Sequence, residues 1–318
     1  MFNVQCSMFN DFYTFAPTMS TVIYPSPIFG PIHSRRLGIS LGINLQPADG
    51  KVCSFDCIYC ECGFNSDHRP TLSRPSRQLV AQKLEEQLQK MVADKQLPDV
   101  LTFAGNGEPT SHPHFAEIID DTIRLRDQYC PQAKVCVLSN ATMTHRPQVH
   151  DALMRVDDNI LKLDTVNPDY IRLVDRPVGH YDVRQIIDNL KAFHGHVIIQ
   201  TMFMRGEIPL PSSPKGEVPP SAHQSMFNVQ CSMFNVPTSS ARFDLQVKER
   251  STFNVDNTGE AFVAPWLEAV KEIQPQQVMV YTIDRETPAH GLLKATHEQL
   301  DAIRDRVIAL GIPCTASY

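Results

Sequence analysis

The chain has 318 residues, 42% hydrophobic and 20% charged, which is enough apolar material for at least one full core and excludes wholesale disorder. With 35 acidic and 29 basic side chains the net charge is −6, which disfavours a globally basic nucleic-acid binder but leaves a local basic patch open. No apolar run approaches the length of a membrane span.

The ten letters MFNVQCSMFN occupy residues 1–10 and return at 226–235. Two copies so far apart do not make a repeat architecture. The second copy follows a proline-rich stretch, 207–225, with no helical or alternating pattern. Residues 1–20 therefore read as an acquired tail, and 207–253 as a low-complexity insertion interrupting a core domain of 21–318. What remains, roughly 250 residues, suits one α/β barrel domain. A short recognition peptide used twice is the functional alternative, although its letters carry no obvious binding chemistry.

Along the core, LGISLGINL (37–45) reads as a strand that ends at a cysteine-rich loop. Residues 77–95 form an amphipathic helix with Leu79, Leu84, Leu88 and Met91 on one face. A strand (99–105), a helix (114–130), a strand (134–140), a helix (146–156) and a strand (159–165) follow. The next helix, 182–195, has Asp182 as N-cap and Gly195 as its stop. Then come a strand (196–204), a helix (260–275) interrupted early by Pro265, and a strand (277–284). The last helix, 296–311, opens with a capping box from Thr296 to Gln299.

Six strands, each followed by a helix, predict an α/β fold with a parallel sheet and right-handed crossovers. Periodicity fits a curved six-unit barrel and a flat doubly wound sheet equally. In both, chemistry sits at the C-terminal strand edge. Residues 105–108, Ser139, Asn140, Asp164 and Gln200 lie at or near that edge.

The chain has nine cysteines, and four of them, Cys53, Cys57, Cys60 and Cys62, crowd into ten residues. Such a cluster points to metal or redox chemistry rather than to a disulfide framework. Cys6 and Cys231 fall in the repeated segments and are set aside. Cys53, Cys57 and Cys60 have the spacing C-x3-C-x2-C, so three thiolates can cover one face of an inorganic centre. A cubane iron–sulfur cluster normally takes four cysteines, and three leave one iron open to a ligand. The alternative is a structural zinc site with Cys62 as the fourth ligand, which would be cramped. Cys62 reads better as a nearby free thiol.

CSFDCIYC resembles the cysteine motif of the radical S-adenosylmethionine (radical SAM) superfamily. GPIHSRRLGISLGINLQP and CIYCECG resemble its iron–sulfur oxidoreductases related to the tRNA wyosine-base synthases. GNGEPT at 105–110 is similar to the family's Gly-Gly-Glu-Pro motif, with Asn106 in place of the second glycine. KLDTVNPDYIRLVDRP and YTIDRETPAHGL extend the likeness, which runs from about residue 25 to 318, broken by the insertion.

The resemblance implies a partial (β/α)6 TIM-like barrel holding a [4Fe–4S] cluster on Cys53, Cys57 and Cys60, with SAM on the open iron. It implies reductive cleavage of SAM to a 5′-deoxyadenosyl radical that abstracts hydrogen from an unknown substrate. An electron donor such as flavodoxin or ferredoxin is then expected, in a cytoplasmic protein. Arg35 is the first basic side chain apart from histidine, so the N-terminus lacks the charged region of a secretory signal.

Tyr59 is placed by the resemblance near the adenine; ordinary core packing is the alternative. Gly105, Asn106, Gly107 and Glu108 are placed at the SAM amino group, or else form a strand-to-helix turn. Ser139 and Asn140 face the SAM carboxylate or ribose, or cap a helix. Lys162 and Asp164 share one strand face; if it faces the barrel interior they need partners or a ligand, and the resemblance assigns them, Asp164 above all, to SAM or substrate. Gln200 and Met202 share the next strand's face. Arg35 and Arg36 can bind phosphate or carboxylate, or pair at the surface. Tyr281, Asp284, Arg285 and Glu286 lie where substrate should approach.

A tRNA-modifying enzyme and a glycyl-radical activase are variants of the same chemistry, and no RNA-binding motif is visible for the first. A non-catalytic scaffold stabilised by zinc or a cluster is the non-enzymatic alternative.

Overall fold

The computed structural model describes residues 21–34, 38–209 and 252–318. Arg35, Arg36, Cys6, Cys231 and both MFNVQCSMFN copies lie outside the described residues. The chain starts with β1 (Ile28–Ser34) and β2 (Gly38–Ile43), then α1 (Arg77–Ala93), β3 (Val100–Phe103), α2 (Phe115–Tyr129) and β4 (Lys134–Ser139). Next come α3 (Pro147–Leu153), β5 (Asp158–Lys162), the short α4 (Pro168–Tyr170), α5 (Val183–Lys191) and β6 (Ile198–Met202). The hairpin strands β7 (Met204–Pro209) and β8 (Thr252–Asn254) precede α6 (Glu260–Ile273), β9 (Gln277–Tyr281), β10 (Leu292–Lys294), α7 (His297–Ala309) and β11 (Cys314–Ser317).

Eight strands form one sheet in the order β1-β2-β3-β4-β5-β6-β9-β11. β1 runs antiparallel to β2, and every other neighbour is parallel. The six expected strands are β2, β3, β4, β5, β6 and β9. Sequence reading missed β1 and β11 at the two edges, and the small antiparallel sheet β10-β7-β8.

Side chains of Ile32, Ser40, Thr102, Leu138, Ile160, Gln200 and Met279, from seven successive strands, line one cavity of about 200 Å³. A flat sheet spaces its strands about 4.8 Å apart, so β1 and β9 would stand nearly 30 Å from each other. Sharing so small a cavity requires the sheet to curl. The architecture is therefore a partial barrel, open between β1 and β11, and not a flat doubly wound sheet.

The main core lies outside the curl, between sheet and helices, and includes Leu41, Leu84, Phe103, Val135, Leu161, Ile199 and Trp266. In α1 the buried row is Val80, Leu84, Leu88 and Met91, while Leu79 is 39% exposed. The i, i+4 row starting at Val80, not at Leu79, faces the sheet. The caps at Asp182 and Thr296 form as expected. Pro265 does not interrupt α6, which runs through it. Burial of Val263, Trp266, Leu267 and Val270 holds that helix together, and the Trp266 indole donates to the Leu163 carbonyl at 3.0 Å.

At the edges of the expected insertion, Glu207, Ile208 and Pro209 pair with Asn254, Phe253 and Thr252. Residues 207–209 and 252–253 are thus strand residues. Among the described residues no helix is long and apolar enough to cross a membrane.

Candidate functional site

The cysteine loop follows β2 and is clamped from two sides. On one side Val52 forms a parallel bridge to Gly107. The Val52 amide donates to the Asn106 carbonyl at 2.9 Å, and the Glu108 amide donates to the Val52 carbonyl at 3.2 Å. Gly107 has φ +130°, and a Cβ there would lie 2.0 Å from the Val52 carbonyl oxygen. Only glycine permits this approach. On the other side the Ile58 amide donates to the Val174 carbonyl at 2.9 Å, and the Val178 amide to the Ser54 carbonyl at 2.9 Å. The loop bearing Cys53, Cys57 and Cys60 is therefore fixed at both flanks.

Two ammonium groups, of buried Lys51 and half-buried Lys162, sit beside the thiols. Lys51 is 3% exposed; it donates to the Gly63 carbonyl at 2.6 Å and lies 3.7 Å from Asp56. Lys162 on β5 lies 3.0 Å from Cys57 Sγ, 2.7 Å from Asp175 and 3.3 Å from Asp164. Its Nζ also covers the rings of Phe55 and Tyr59. Burial opposes both charges, but the surrounding groups prevail, and both lysines are held above their ordinary range. Lys51 is held there by the thiols and Asp56, and Lys162 by Asp164, Asp175 and Cys57.

The thiols differ from one another. Burial, then the Glu108 charge, pushes Cys53 up to about 12. Burial also raises Cys57, against the pull of Lys162. Cys60 is drawn down to about 6 by contact with the Cys62 thiol, against burial and with help from Lys51. Cys62 is buried, and its thiol donates to the Gly105 carbonyl at 3.4 Å.

Among the described residues no three His, Cys, Asp or Glu groups gather closely enough to hold a single metal ion. A cubane spreads its ligands over several irons. Three thiols on one clamped loop, with two cations to offset thiolate charge, fit such a centre.

The expected SAM-binding residues fall into two hydrogen-bonded groups. In the first, the buried Glu108 accepts from the Thr110 amide (3.0 Å) and hydroxyl, the Ser139 hydroxyl (2.8 Å) and the Asn140 amide (2.8 Å). Burial raises its pKa above the usual carboxylate range, against these donors. The Asn140 side chain reaches Ser54 Oγ at 2.9 Å and Cys53 Sγ at 3.6 Å.

The second group is centred on Asp164. It accepts from the Met202 amide at 3.0 Å and from the Tyr59 hydroxyl. Tyr59 also points at Asp175, 3.5 Å away. Burial lifts Asp175 to about 7, against the pull of Lys162.

Asn106 takes no part in either group. Its fully buried side chain ties down the backbone of Tyr24 and Pro47. Arg285 pairs with Glu61 at 2.9 Å, beside Tyr24. Gln200 lines the inner cavity, while Met202 packs with Phe55, Cys57 and Tyr59. Sequence reading did not single out Lys51 or Asp175. A lysine two residues before the first cysteine was the available signal for one, and the acid closing 162–177 for the other.

A family model described as the Radical SAM superfamily matches residues 49–209, half of the chain, including the cysteine loop and both clamps. A UPF0026 protein of Helicobacter pylori is 30% identical over 187 residues, covering 57% of this chain and 58% of that protein. A UPF0026 protein of Methanocaldococcus jannaschii is 32% identical over 183 residues, covering 55% and 53%. The chain thus spans little more than half the length of these curated relatives.

Among solved structures, a radical SAM methyltransferase from Sphaerobacter thermophilus superposes with TM-score 0.55 at 11% identity, over 88% of this chain and 66% of that one. Streptococcus suis SuiB bound to S-adenosylmethionine superposes with TM-score 0.53 at 11% identity, over 87% and 50%. At such identity the likeness is one of fold.

Proposed function

The chain belongs to the radical SAM superfamily of enzymes, and on that premise we propose that it uses a [4Fe–4S] cluster and SAM to abstract a hydrogen atom from its substrate. The observation that carries this reading is the thiol trio Cys53, Cys57 and Cys60 on a doubly clamped loop between buried Lys51 and half-buried Lys162. When bound, the cluster supplies the electron that splits SAM into methionine and a 5′-deoxyadenosyl radical.

The protein's own part is ligation, charge balance and orientation. Cys53, Cys57 and Cys60 hold the cluster and leave one corner without a protein ligand. Lys51 and Lys162 offset thiolate charge where little water reaches. Glu108 fixes Ser139 and Asn140 in place, so that Asn140 stands against Cys53. Gly105, Gly107, Ser139 and Asn140 then form the SAM-facing edge, while Tyr59 and Asp164 close the opposite side. Asn106 shapes that edge from behind. A low-potential donor such as flavodoxin or ferredoxin delivers the electron.

The test is anaerobic purification followed by iron analysis, electron paramagnetic resonance and incubation with SAM and dithionite. About four irons per chain and release of 5′-deoxyadenosine are expected. Cys53→Ala, Cys57→Ala and Cys60→Ala should each lose the cluster, and Cys62→Ala should keep it. A colourless zinc protein that leaves SAM intact, or a cluster that requires Cys62, would overturn the proposal.

A further inference from the structure

We propose that the cavity inside the curled sheet seats an uncharged, ring-sized part of the substrate that presents a carboxamide-type edge to Gln200. The assignment of this group to the substrate rests on the function proposed above.

Position comes first. Leu138, Ile160, Gln200 and Met279 line the cavity on four strands. Each stands two residues before a residue of the upper layer: Asn140, Lys162, Met202 and Tyr281. Residues i and i+2 of a strand share a face and lie about 6–7 Å apart. In that upper layer Asn140 approaches Cys53 and Lys162 approaches Cys57. The cavity therefore lies one side-chain layer below the residues that approach the thiols, so that a group held in it is within reach of that layer.

Size and charge narrow the ligand. A whole small-molecule ligand usually occupies about 300–1,000 Å³. The volume here, about 200 Å³, admits a single ring or its equivalent. Among the described residues no Asp, Glu, Lys, Arg or His lines it. Lys162, two residues on from the lining residue Ile160, is already held by Asp164 and Asp175, and Arg285, which reaches the hydroxyl of the lining residue Tyr24, is held by Glu61. An ionised group would find no free counter-charge among these residues and would enter at a large desolvation cost.

Polarity then selects the edge. Ser40 and Thr102 satisfy each other through a 2.8 Å hydroxyl contact. Gln200 is different: its backbone carbonyl accepts from Leu163, but its side-chain amide has no hydrogen-bond partner among the described residues. An amide offers a donor and an acceptor side by side. Its natural complement is another neutral donor–acceptor edge, a carboxamide or a lactam. A site built to meet such an edge discriminates strongly against an analogue that lacks it.

The experiment uses the full chain, purified anaerobically, with benzamide as probe and benzoate as its charged counterpart of similar size. Saturation-transfer NMR titrations should show benzamide bound at least tenfold more tightly than benzoate. Gln200→Met should weaken benzamide at least tenfold while iron content and melting temperature stay as in the wild type. Ile160→Phe, which fills the cavity, should abolish benzamide binding. Absence of benzamide binding, equal binding of benzoate, or an unaffected Gln200→Met variant would each refute the proposal. So would displacement of benzamide by 5′-deoxyadenosine, which would give the cavity to the nucleoside. Failure of SAM cleavage alone leaves these titrations unchanged, so the two proposals fail separately.

Discussion

Lys162→Met is the perturbation whose consequence follows most directly from the geometry. The side chain of Lys162 is 14% exposed and is flanked by Asp175, 3% exposed, and Asp164, 1% exposed. Methionine fills a similar volume but leaves two buried carboxylates without their cation. Breaking a buried pair from one side typically costs about 3–5 kcal/mol. For a domain of this size each kcal/mol moves the melting temperature by roughly 2–4 °C, so a drop of roughly 6–20 °C is expected.

The measurement is thermal and urea denaturation of reduced, cluster-free protein at several pH values. Burial already lifts Asp175 to about 7 against the pull of Lys162. Without the lysine its carboxyl rises further. An acid raised in the folded state destabilises when ionised, and this penalty fades as pH falls from the folded value towards the unfolded one. The variant's deficit should therefore be larger at pH 8 than at pH 5. Lys83→Met serves as the control: its 2.7 Å pair with Glu86 has side chains 46% and 49% exposed, and no measurable shift is expected. A Lys162→Met loss below about 1 kcal/mol at pH 8, or one that grows towards acid, would refute the reasoning.

Three further outcomes can be checked. Gly107→Ala forces a Cβ against the Val52 carbonyl at a positive φ; iron retained after reconstitution should fall severalfold, as inductively coupled plasma analysis would show. Glu108→Gln places an NH2 against either the Asn140 amide or the Thr110 and Ser139 donors, so urea melts should show a loss of about 1–3 kcal/mol. Replacing 210–251 by a two-residue turn keeps the β7–β8 pairing and should preserve melting temperature and iron content. A wider deletion of 207–253 also removes Ile208, which is 3% exposed, and should lower both.

The sequence carried what is local. The spacing of Cys53, Cys57 and Cys60 is a property of eight consecutive residues, and the central parallel strands announce themselves by short apolar runs. The edge strands did not: β1 contains Pro31 and β11 is only CTAS, so neither shows a pattern. The face of α1 was misread by one residue, because Leu79 and Val80 are equally apolar and only the sheet decides between them. The charge network was the least legible part. Lys162 stood out beside Asp164 on one strand face, but Lys51 and Asp175 look like ordinary surface residues until the fold buries them, the first beside Asp56 and the second beside Lys162. Asn106 was placed at the SAM amino group as part of the 105–108 motif; the sequence did not show that its side-chain amide braces Tyr24 and Pro47.

The double clamp on the cysteine loop also sets a schedule. During synthesis all three thiols emerge early, but 105 residues separate Cys57 from Lys162, and the strap at 174–178 comes later still. A nascent chain therefore exposes its sulfurs long before it can hold them rigid. On the proposed function, a cluster would be held rigidly only once the middle of the polypeptide has been made, and truncated chains ending before residue 160 should take up iron poorly. The order of the chain thus places the thiols before both the lysine and the strap that fix them.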